Sequence, residues 1–429
     1  MSAIREIVRR HRSGERVGIY SVCSAHPLVI RAALEQALAE DGTAFIEATS
    51  NQVNQDGGYT GLRPADFRDL VAGIADEVGL ARDRVLLGGD HLGPNCWQHE
   101  PARTALERSG VMVEGYVRAG FQKIHLDCSM PCRDDTRPLT DALIAERTAM
   151  LCARAEAAWK RESAGRGQAP VYIVGSEVPT PGGAQEALEH LAVTTPAAVE
   201  ATLAAHRTAF ERHGLEAAWE RVVGLVVQPG VEFDDTHVID YLPANARALR
   251  DSISAQTHLV FEAHSTDYQT PAALAALVED HFAILKVGPA LTFALREAVW
   301  ALDAIEREWL GSEHSSGVRE RLIGAARSDP RHWAKHYRSQ GHELQLQLEY
   351  SLSDRIRYYW TAAPVRAALQ RLIDAFQRAA PPLPLLKQYL PAAYAAIRNG
   401  ELEPTAPRLI THHVRQVLDD YSAACNPRR

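Results

Sequence analysis

Short apolar runs alternate with longer amphipathic segments over most of the chain. Uninterrupted apolar runs of about four to eight residues are typical of strands buried on both faces of a parallel sheet. The pattern predicts eight such strands, at 17–23, 44–49, 84–88, 123–128, 171–175, 222–227, 258–263 and 282–287.

A helix-like segment follows each predicted strand. Apolar residues recur there with a helical period, and several segments begin with proline, which is favoured in the first turn of a helix. The predicted helices are 27–39, 64–78, 101–119, 140–161, 196–213, 243–250, 271–280 and 290–309. One helix after each buried strand is the pattern of a (β/α)8 TIM barrel, an α/β fold. A doubly wound open sheet is disfavoured, because no G-x-G-x-x-G follows the first strand.

The chain beyond residue 310 contains no strand-like run. Its pattern predicts helices at 317–326, 329–338, 364–378, 384–399 and 409–420. We therefore expect a barrel at residues 1–310 and a C-terminal helical extension at residues 311–429, packed on the barrel.

The composition of the chain argues against some classes of binding partner and cellular setting. The formal net charge of −8 and the pI near 6.1 leave no basic excess, so we expect no nucleic-acid partner. Residues 1–16 lack the apolar segment of a signal peptide, and no run of about 18 apolar residues is present, so we predict no membrane span. The six cysteines form no paired C-x-x-C motifs, which is typical of reduced thiols in the cytoplasm.

Polar residues stand in or just beyond nearly every predicted strand after the first. The carboxyl ends of parallel strands meet at one rim of a barrel, where catalytic groups lie. Burying an unpaired neutral polar group costs on the order of 2–7 kcal/mol, so these side chains must pair, hold water or bind a ligand. Taken together, the residues indicate a functional site; they are Glu47, Asp90, His91, His125, Asp127, Glu177, Gln228, Glu232, His264, Asp267 and Lys286.

Asp90 and His91 follow two glycines at the end of the third predicted strand. The glycines allow the backbone to turn, and the pair can supply a catalytic, proton-transferring carboxylate and an imidazole metal ligand. The alternative interpretation is that Asp90 caps the next helix and His91 is a buried, hydrogen-bonded histidine.

Four residues would converge on a divalent metal ion if the barrel closes: His91, Glu177, Gln228 and His264. Two imidazoles, a carboxylate and an amide oxygen suit zinc or another borderline ion. Because an amide is a poor zinc ligand, either the ion is harder, such as Mn or Mg, or Gln228 binds substrate instead.

The loop after the second strand offers the amides Asn51, Gln52, Asn54 and Gln55. Amides both donate and accept hydrogen bonds, which suits sugar hydroxyls, so we predict substrate contacts here. A plain flexible surface loop is the alternative.

Phosphate in TIM barrels is often bound by the loops after strands seven and eight. On this basis Ser265, Asp267 and Thr292 are predicted to bind substrate, although N-capping accounts equally well for Thr292. Asp127, at the end of the fourth strand, is placed in the same set.

Arg355 and Arg357 lie in the unusual segment 353–360 of the extension. They could reach across the barrel mouth to a phosphate, so both are counted as substrate-binding residues. A charge pair on a helix surface or a contact between subunits are the alternatives.

Three segments, 51–61, 88–95 and 353–360, resemble motifs of the GatZ/KbaZ family. The resemblance extends over nearly the whole chain. Its members are described as non-catalytic subunits of tagatose-1,6-bisphosphate aldolase, some are labelled tagatose-6-phosphate kinases, and some relatives are ketose-6-phosphate 4-epimerases. The family is in turn similar to the zinc-dependent class II aldolases. The resemblance matches Asp90 to their catalytic acid, and His91 and His264 to two zinc ligands. Gln228 stands where the third zinc histidine is expected.

Two functions remain open at this point. The first is a metal-dependent 4-epimerase of a phosphorylated ketohexose acting by retro-aldol chemistry, with Asp90 as the catalytic base and Glu177 as a ligand or second base. The second is a non-catalytic partner of a class II aldolase. A tagatose-6-phosphate kinase is disfavoured and no nucleotide cofactor is expected, because the chain has no G-x-x-x-x-G-K-[ST]. We also expect a homo-oligomer.

Overall fold

The computed structural model describes residues 2–163, 168–176 and 191–426. Eight parallel strands close into a barrel, in which each strand pairs with its neighbours in chain order and the first pairs with the last. The strands are β1 Ile19–Val22, β2 Ala44–Thr49, β3 Val85–Leu92, β4 Lys123–Leu126, β5 Val171–Val174, β6 Val222–Val227, β7 Val260–Ala263 and β8 Ile284–Val287. The predicted (β/α)8 fold is confirmed.

A helix follows each strand of the barrel. These helices are Pro27–Ala39, Pro64–Val78, Ala102–Arg118, Asp141–Ser163, Pro196–Arg212, Pro243–Ser252, Pro271–Glu279 and Pro289–Leu310, and a short helix Glu216–Trp219 precedes β6. Most begin with proline, whose fixed φ and missing N–H suit the first turn. A two-stranded hairpin of Glu232–Phe233 and Val238–Ile239 follows β6.

The third strand runs through the glycines instead of turning at them. Its bounds are Val85–Leu92, whereas the sequence pattern predicted an end at Gly88. A Cβ on Gly88 would lie 2.3 Å from the Glu47 carboxylate, and a Cβ on Gly89 would lie 2.7 Å from the Tyr116 ring. The two glycines therefore make room for buried side chains on either face of the strand.

An N-terminal helix, Ala3–Arg12, closes the bottom of the barrel. Ile4 and Val8 on this helix are buried and belong to the same apolar cluster as Ile19, Phe45 and other strand residues. The sequence pattern did not predict this helix, because its charged residues outnumber the two apolar ones that face the core.

His11, at the end of the N-terminal helix, forms a buried link to the loop before β8. Its Nδ1 lies 2.7 Å from the carbonyl oxygen of Val17, and its Nε2 lies 2.9 Å from Nδ1 of His281. The carbonyl requires a proton on Nδ1 of His11, so His281 donates to Nε2. Burial lowers the pKa of both rings, that of His281 to about 4.

We expect the free energy of unfolding to fall as the pH is lowered from 6.5 towards about 4. In this range the unfolded chain binds protons that His11 and His281 do not bind in the folded state, and stability then decreases with acidification. Urea unfolding at several pH values measures the slope, and His281→Asn should make it shallower. An unchanged slope in this variant would remove the histidine link as its cause.

The chain after the barrel is helical. Its helices are Val318–Ser328, Gly341–Tyr350, Ala363–Arg378, Leu383–Tyr389, Pro391–Arg398 and Ala406–Cys425. The helix predicted over 329–338 is wrong, because only Pro330–His332 forms a single short 3-10 turn. The helix predicted over 384–399 is divided at Pro391, which begins a new helix.

The last helix, Ala406–Cys425, packs against the barrel helices Pro27–Ala39, Pro271–Glu279 and Pro289–Leu310. The segment 353–360 packs on the barrel through Asp354. Its carboxylate pairs with the buried Arg296 at 3.1 Å and accepts a hydrogen bond of 2.6 Å from the Thr292 hydroxyl. These contacts hold the following residues beside the carboxyl ends of the strands.

Among the described residues, no helix is long and apolar enough to cross a membrane. All six cysteines are free thiols.

Candidate functional site

A buried ion-paired layer lies inside the barrel beneath the rim. The Nζ of Lys123, on β4, lies 2.7 Å from a carboxylate oxygen of Glu47, on β2, and 2.7 Å from one of Glu262, on β7. All three side chains are 0% exposed. Each carboxylate therefore has a counter-charge, which a buried charge requires.

Asp90 lies above this layer, at the rim. Its Oδ1 is 2.8 Å from Nδ1 of His125 and 2.9 Å from Nζ of Lys286. Lys286, on β8, also contacts the Glu47 carboxylate and so joins the two layers. Burial acts to raise the pKa of Asp90, but His91 and His125 outweigh it, so the pKa lies well below its usual value. Asp90 is therefore ionised at neutral pH.

Three imidazole rings meet beside Asp90. The ring centroids of His91, His125 and His264 lie 4.9 to 5.3 Å apart. The Nε2 of His125 is buried and has no hydrogen-bond partner. The Nδ1 of His91 is paired with Asp127 at 2.8 Å, which leaves its Nε2 on the side of Asp90, 3.7 Å from Oδ2.

Four of these residues have one ligand atom each within 4.8 Å of the others: Asp90, His125, Glu262 and His264. Imidazole nitrogens and carboxylate oxygens are the ligands of zinc and related divalent ions. Among the described residues, four carboxylates, from Glu47, Asp90, Asp127 and Glu262, face the two ammonium groups of Lys123 and Lys286, so the site is anionic when its imidazoles are neutral. The negative charge of that state and the orphaned Nε2 of His125 both fit a bound cation.

The pKa values follow from this charge distribution. Burial acts to raise the pKa of Glu262, but Lys123 outweighs it and lowers that pKa to about 2. Burial lowers the pKa of Lys286 to about 8. Burial raises the pKa of Cys23, whose thiol lies close to Glu47 and Asp90, to about 11.

The backbone at the rim takes up unusual conformations. His91 has φ +48° and Ser265 has φ +53°, both in the left-handed region that residues other than glycine rarely adopt. Such conformations cost on the order of 1–3 kcal/mol each and cluster at functional sites. In both cases the affected residue lines the pocket at the mouth of the barrel.

This pocket encloses about 650 Å³ of empty space, part of it open to solvent. Asp90, His91, His264 and Lys286 line it. The predicted substrate-binding residues Asn51, Gln52, Ser265, Asp267 and Arg357 line it as well, together with Tyr59 and Tyr358. The structure therefore brings the predicted acid, two predicted metal ligands and five predicted substrate-binding residues together.

Several predicted residues lie elsewhere. The amide oxygen of Gln228 accepts hydrogen bonds from the N–H groups of Gly230 and Val231, so it is engaged in its own turn. The Thr292 hydroxyl is bonded to Asp354, as described above. Arg355 lies in a neighbouring cavity, where it contacts His336 at 3.0 Å.

The remaining predicted site residues either make hydrogen bonds within the protein or lie outside the described residues. Asn54 holds its own loop, because its Oδ1 accepts from the N–H groups of Asp56 and Gly58. Gln55 donates to the carbonyl oxygen of Arg108. Asp127 lies behind His91 and orients its ring. Glu177 lies outside the described residues.

Sequence reasoning did not identify Lys123 and Glu262, and it did not assign His125 to the metal. The period-2 alternation of side chains along a strand carries the signal: Lys123 and His125 on β4, and Glu262 on β7 with His264 just after it, point into the barrel. The third imidazole beside Asp90 comes from β4, whereas Gln228 stands after β6, where the family resemblance leads one to expect a histidine.

Residues 4–426 match the family described as D-tagatose-1,6-bisphosphate aldolase subunit GatZ/KbaZ-like. The chain is 47% identical to a probable tagatose 6 phosphate kinase from Sinorhizobium meliloti 1021, with a TM-score of 0.87 over 95% of this chain and 100% of that one. A fructose-bisphosphate aldolase from Campylobacter jejuni is 13% identical, with a TM-score of 0.45 over 87% of this chain and 92% of that one. The fructuronate-tagaturonate epimerase UxaE from Cohnella laeviribosi is 10% identical, with a TM-score of 0.43 over 96% and 82%.

At these low TM-scores the two distant structures say nothing about the chemistry of this chain. The family match, in contrast, spans nearly the whole sequence and is supported by the S. meliloti structure. The chain belongs to the GatZ/KbaZ-like family of D-tagatose-1,6-bisphosphate aldolase subunits.

Proposed function

We propose that this protein is a metal-dependent 4-epimerase of a ketohexose 6-phosphate in tagatose metabolism. The observation that carries the proposal is that Asp90, an ionised buried acid that lines the pocket, has an oxygen within 4.8 Å of ligand atoms of His125, Glu262 and His264. A base beside a divalent-ion site is what aldol chemistry requires.

The reaction follows from the position of the carbon that is inverted. The C4 hydrogen of a 2-ketose is not adjacent to the C2 carbonyl, so its direct removal as a proton is unfavourable. Cleavage of the C3–C4 bond avoids this step. The C4 hydroxyl loses its proton, the bonding electron pair passes to the three-carbon enediolate fragment, and C4 becomes an aldehyde. Rotation of the aldehyde and re-addition to its other face give the 4-epimer.

Asp90 is the base that takes the proton from the C4 hydroxyl and returns it after re-addition. Lys286 and His125 hold this carboxylate in place, and His91 and His125 keep it ionised. A divalent ion such as Zn or Mn would polarise the C2 carbonyl. His125, Glu262 and His264 would hold it, with Nε2 of His91 available from the other side. Glu177 remains a predicted ligand or second base.

Substrate binding is assigned to amide and guanidinium groups that line the pocket. Asn51 and Gln52 offer amides to the sugar hydroxyls, and Arg357 offers its guanidinium to the phosphate. A homo-oligomer and a cytoplasmic setting remain predictions.

A non-catalytic partner of a class II aldolase is the second candidate. Two observations favour it: the family description names an aldolase subunit, and Gln228 is engaged in its own turn rather than in the ligand group. A kinase is disfavoured, because the sequence has no glycine-rich nucleotide loop with a lysine.

The experiment is elemental analysis of the purified protein followed by NMR of tagatose 6-phosphate incubated with it. We expect stoichiometric metal and conversion of the sugar to its 4-epimer, both lost in His264→Gln. His206→Gln, which replaces a buried histidine remote from the pocket, should retain both. A metal-free, inactive wild-type protein that stabilises a co-expressed aldolase would instead support the second candidate.

A further inference from the structure

The loops after β7 and β8 are where many TIM barrels bind a phosphate, together with the N-terminus of a helix. In this chain the helix is Pro289–Leu310, which begins two residues after β8 ends at Val287. Backbone N–H groups at such a terminus attract an anion because they have no partner within the helix.

Here a side chain of the protein already occupies this anion position. Oδ1 of Asp267 accepts hydrogen bonds from the N–H of Gly288 at 2.9 Å and from the N–H of Ala290 at 2.8 Å. Asp267 is 3% exposed and lines the pocket. Its carboxylate makes the contacts that a phosphate would make.

The hydroxyl groups around this position are also committed to the protein. The Thr266 hydroxyl donates to the carbonyl oxygen of Lys286 at 2.6 Å, and the Thr292 hydroxyl donates to Asp354. A second buried carboxylate, Glu232, lies close enough for Asp267 to raise its pKa, although burial is the larger cause. The position therefore presents negative charge and few free donors.

The guanidinium of Arg357 lines the same pocket, and it acts to lower the pKa of Asp267, although burial is the larger cause and raises that pKa to about 6. Arg357 donates to the backbone carbonyl oxygens of Ser353 at 2.5 Å and Asp354 at 2.9 Å, and to the Tyr358 hydroxyl at 3.1 Å. In the described parts of the chain, no carboxylate forms an ion pair with this guanidinium, and the nearby Asp354 is paired with Arg296. A phosphate would find its counter-charge here.

We propose that Asp267 is a specificity-determining residue that restricts the pocket to ketose monophosphates. Its carboxylate fills the loop position, so the single phosphate of the substrate lies at Arg357 and the unphosphorylated end of the sugar lies beside Asp267. A ketose bisphosphate is excluded, because its second phosphate would meet a buried carboxylate. This inference rests on the proposed function and deepens it by naming the substrate class.

Calorimetric titration with glucitol 6-phosphate and glucitol 1,6-bisphosphate tests the inference. These reduced sugars lack the carbonyl, so they can bind without reacting. We expect the wild-type protein to bind the monophosphate at least about tenfold more tightly, because like charges in an interface are costly. Asp267→Asn keeps an oxygen for the two N–H groups and removes the charge. It should tighten bisphosphate binding by about tenfold and leave monophosphate binding nearly unchanged.

Two further variants complete the design. Asp280→Asn replaces a buried aspartate that bonds Tyr241 outside the pocket, and it should leave both affinities unchanged. Arg357→Gln should weaken monophosphate binding by about tenfold or more, because a charge-assisted contact is lost.

The outcomes separate this inference from the proposed function. Equal wild-type affinity for the two ligands overturns the inference even if the 4-epimerase reaction is observed, and this comparison needs no variant. An unchanged affinity ratio in folded Asp267→Asn also overturns it. Binding of neither ligand, together with no turnover of tagatose 6-phosphate, overturns both.

Discussion

Replacement of Asp90 by asparagine is expected to lower kcat for 4-epimerisation by about 10²- to 10⁴-fold, the usual contribution of a positioned general base. Asparagine has nearly the same shape and keeps an oxygen towards His125 and Lys286, but it cannot take a proton from the C4 hydroxyl. We expect KM to change much less than kcat. Conversion of tagatose 6-phosphate, followed by NMR at several substrate concentrations, measures both constants.

Asp280→Asn again serves as the matched control, because this buried aspartate lies outside the pocket. It should retain wild-type kcat. If folded Asp90→Asn protein has full activity, Asp90 is not the base and the proton must be carried by another group.

Replacement of Lys123 by methionine is expected to lower the free energy of unfolding by about 3–5 kcal/mol, the typical cost of leaving a buried charge unpaired. The methionine leaves Glu262 without the ammonium group 2.7 Å away and removes one of the two cations at Glu47. Chemical denaturation followed by circular dichroism gives the difference.

Lys387→Met, at an exposed position, is the control and should change stability by no more than about 0.5 kcal/mol. Adding Glu262→Gln to Lys123→Met should recover part of the loss, because it removes a buried charge whose remaining ammonium partner, on Lys286, is 4.0 Å away. A Lys123→Met protein as stable as the wild type would show that the buried layer does not depend on its charge balance.

Much of the fold could be predicted from the sequence. Strands buried on both faces leave continuous apolar runs, and proline marks the first turn of many helices; the helices Pro27–Ala39 and Pro64–Val78 have the predicted bounds. The helix Gly341–Tyr350 was not predicted, because glutamine and glutamate are spread among its apolar residues. The helix predicted over 329–338 does not form, because residues that favour a helix do not by themselves provide an apolar face that packs on the protein.

The site was predictable only in part. Asp90, His91 and His264 stand out because a strand end places an acid or an imidazole beside a loop. Lys123 and Glu262 lie within strands, and their pairing joins β4 and β7, which are not neighbours in the barrel. Partners across a closed barrel depend on its register and depth, which no local pattern contains.

The hydrogen bonds of individual pocket residues also could not be predicted from the sequence. Asp267 was expected to bind substrate, and it does line the pocket, yet its bonds to the N–H groups of Gly288 and Ala290 emerge only from the geometry. Likewise, Thr292 stands near the predicted loop but is used by Asp354 from a segment about sixty residues later.

The most direct test is conversion of tagatose 6-phosphate in D2O by the metal-loaded protein, followed by proton NMR of the product. If Asp90 removes only the hydroxyl proton and the C3–C4 bond breaks, the 4-epimer forms with its original hydrogen still on C4. Absence of the 4-epimer, or its formation with deuterium at C4, would contradict the account.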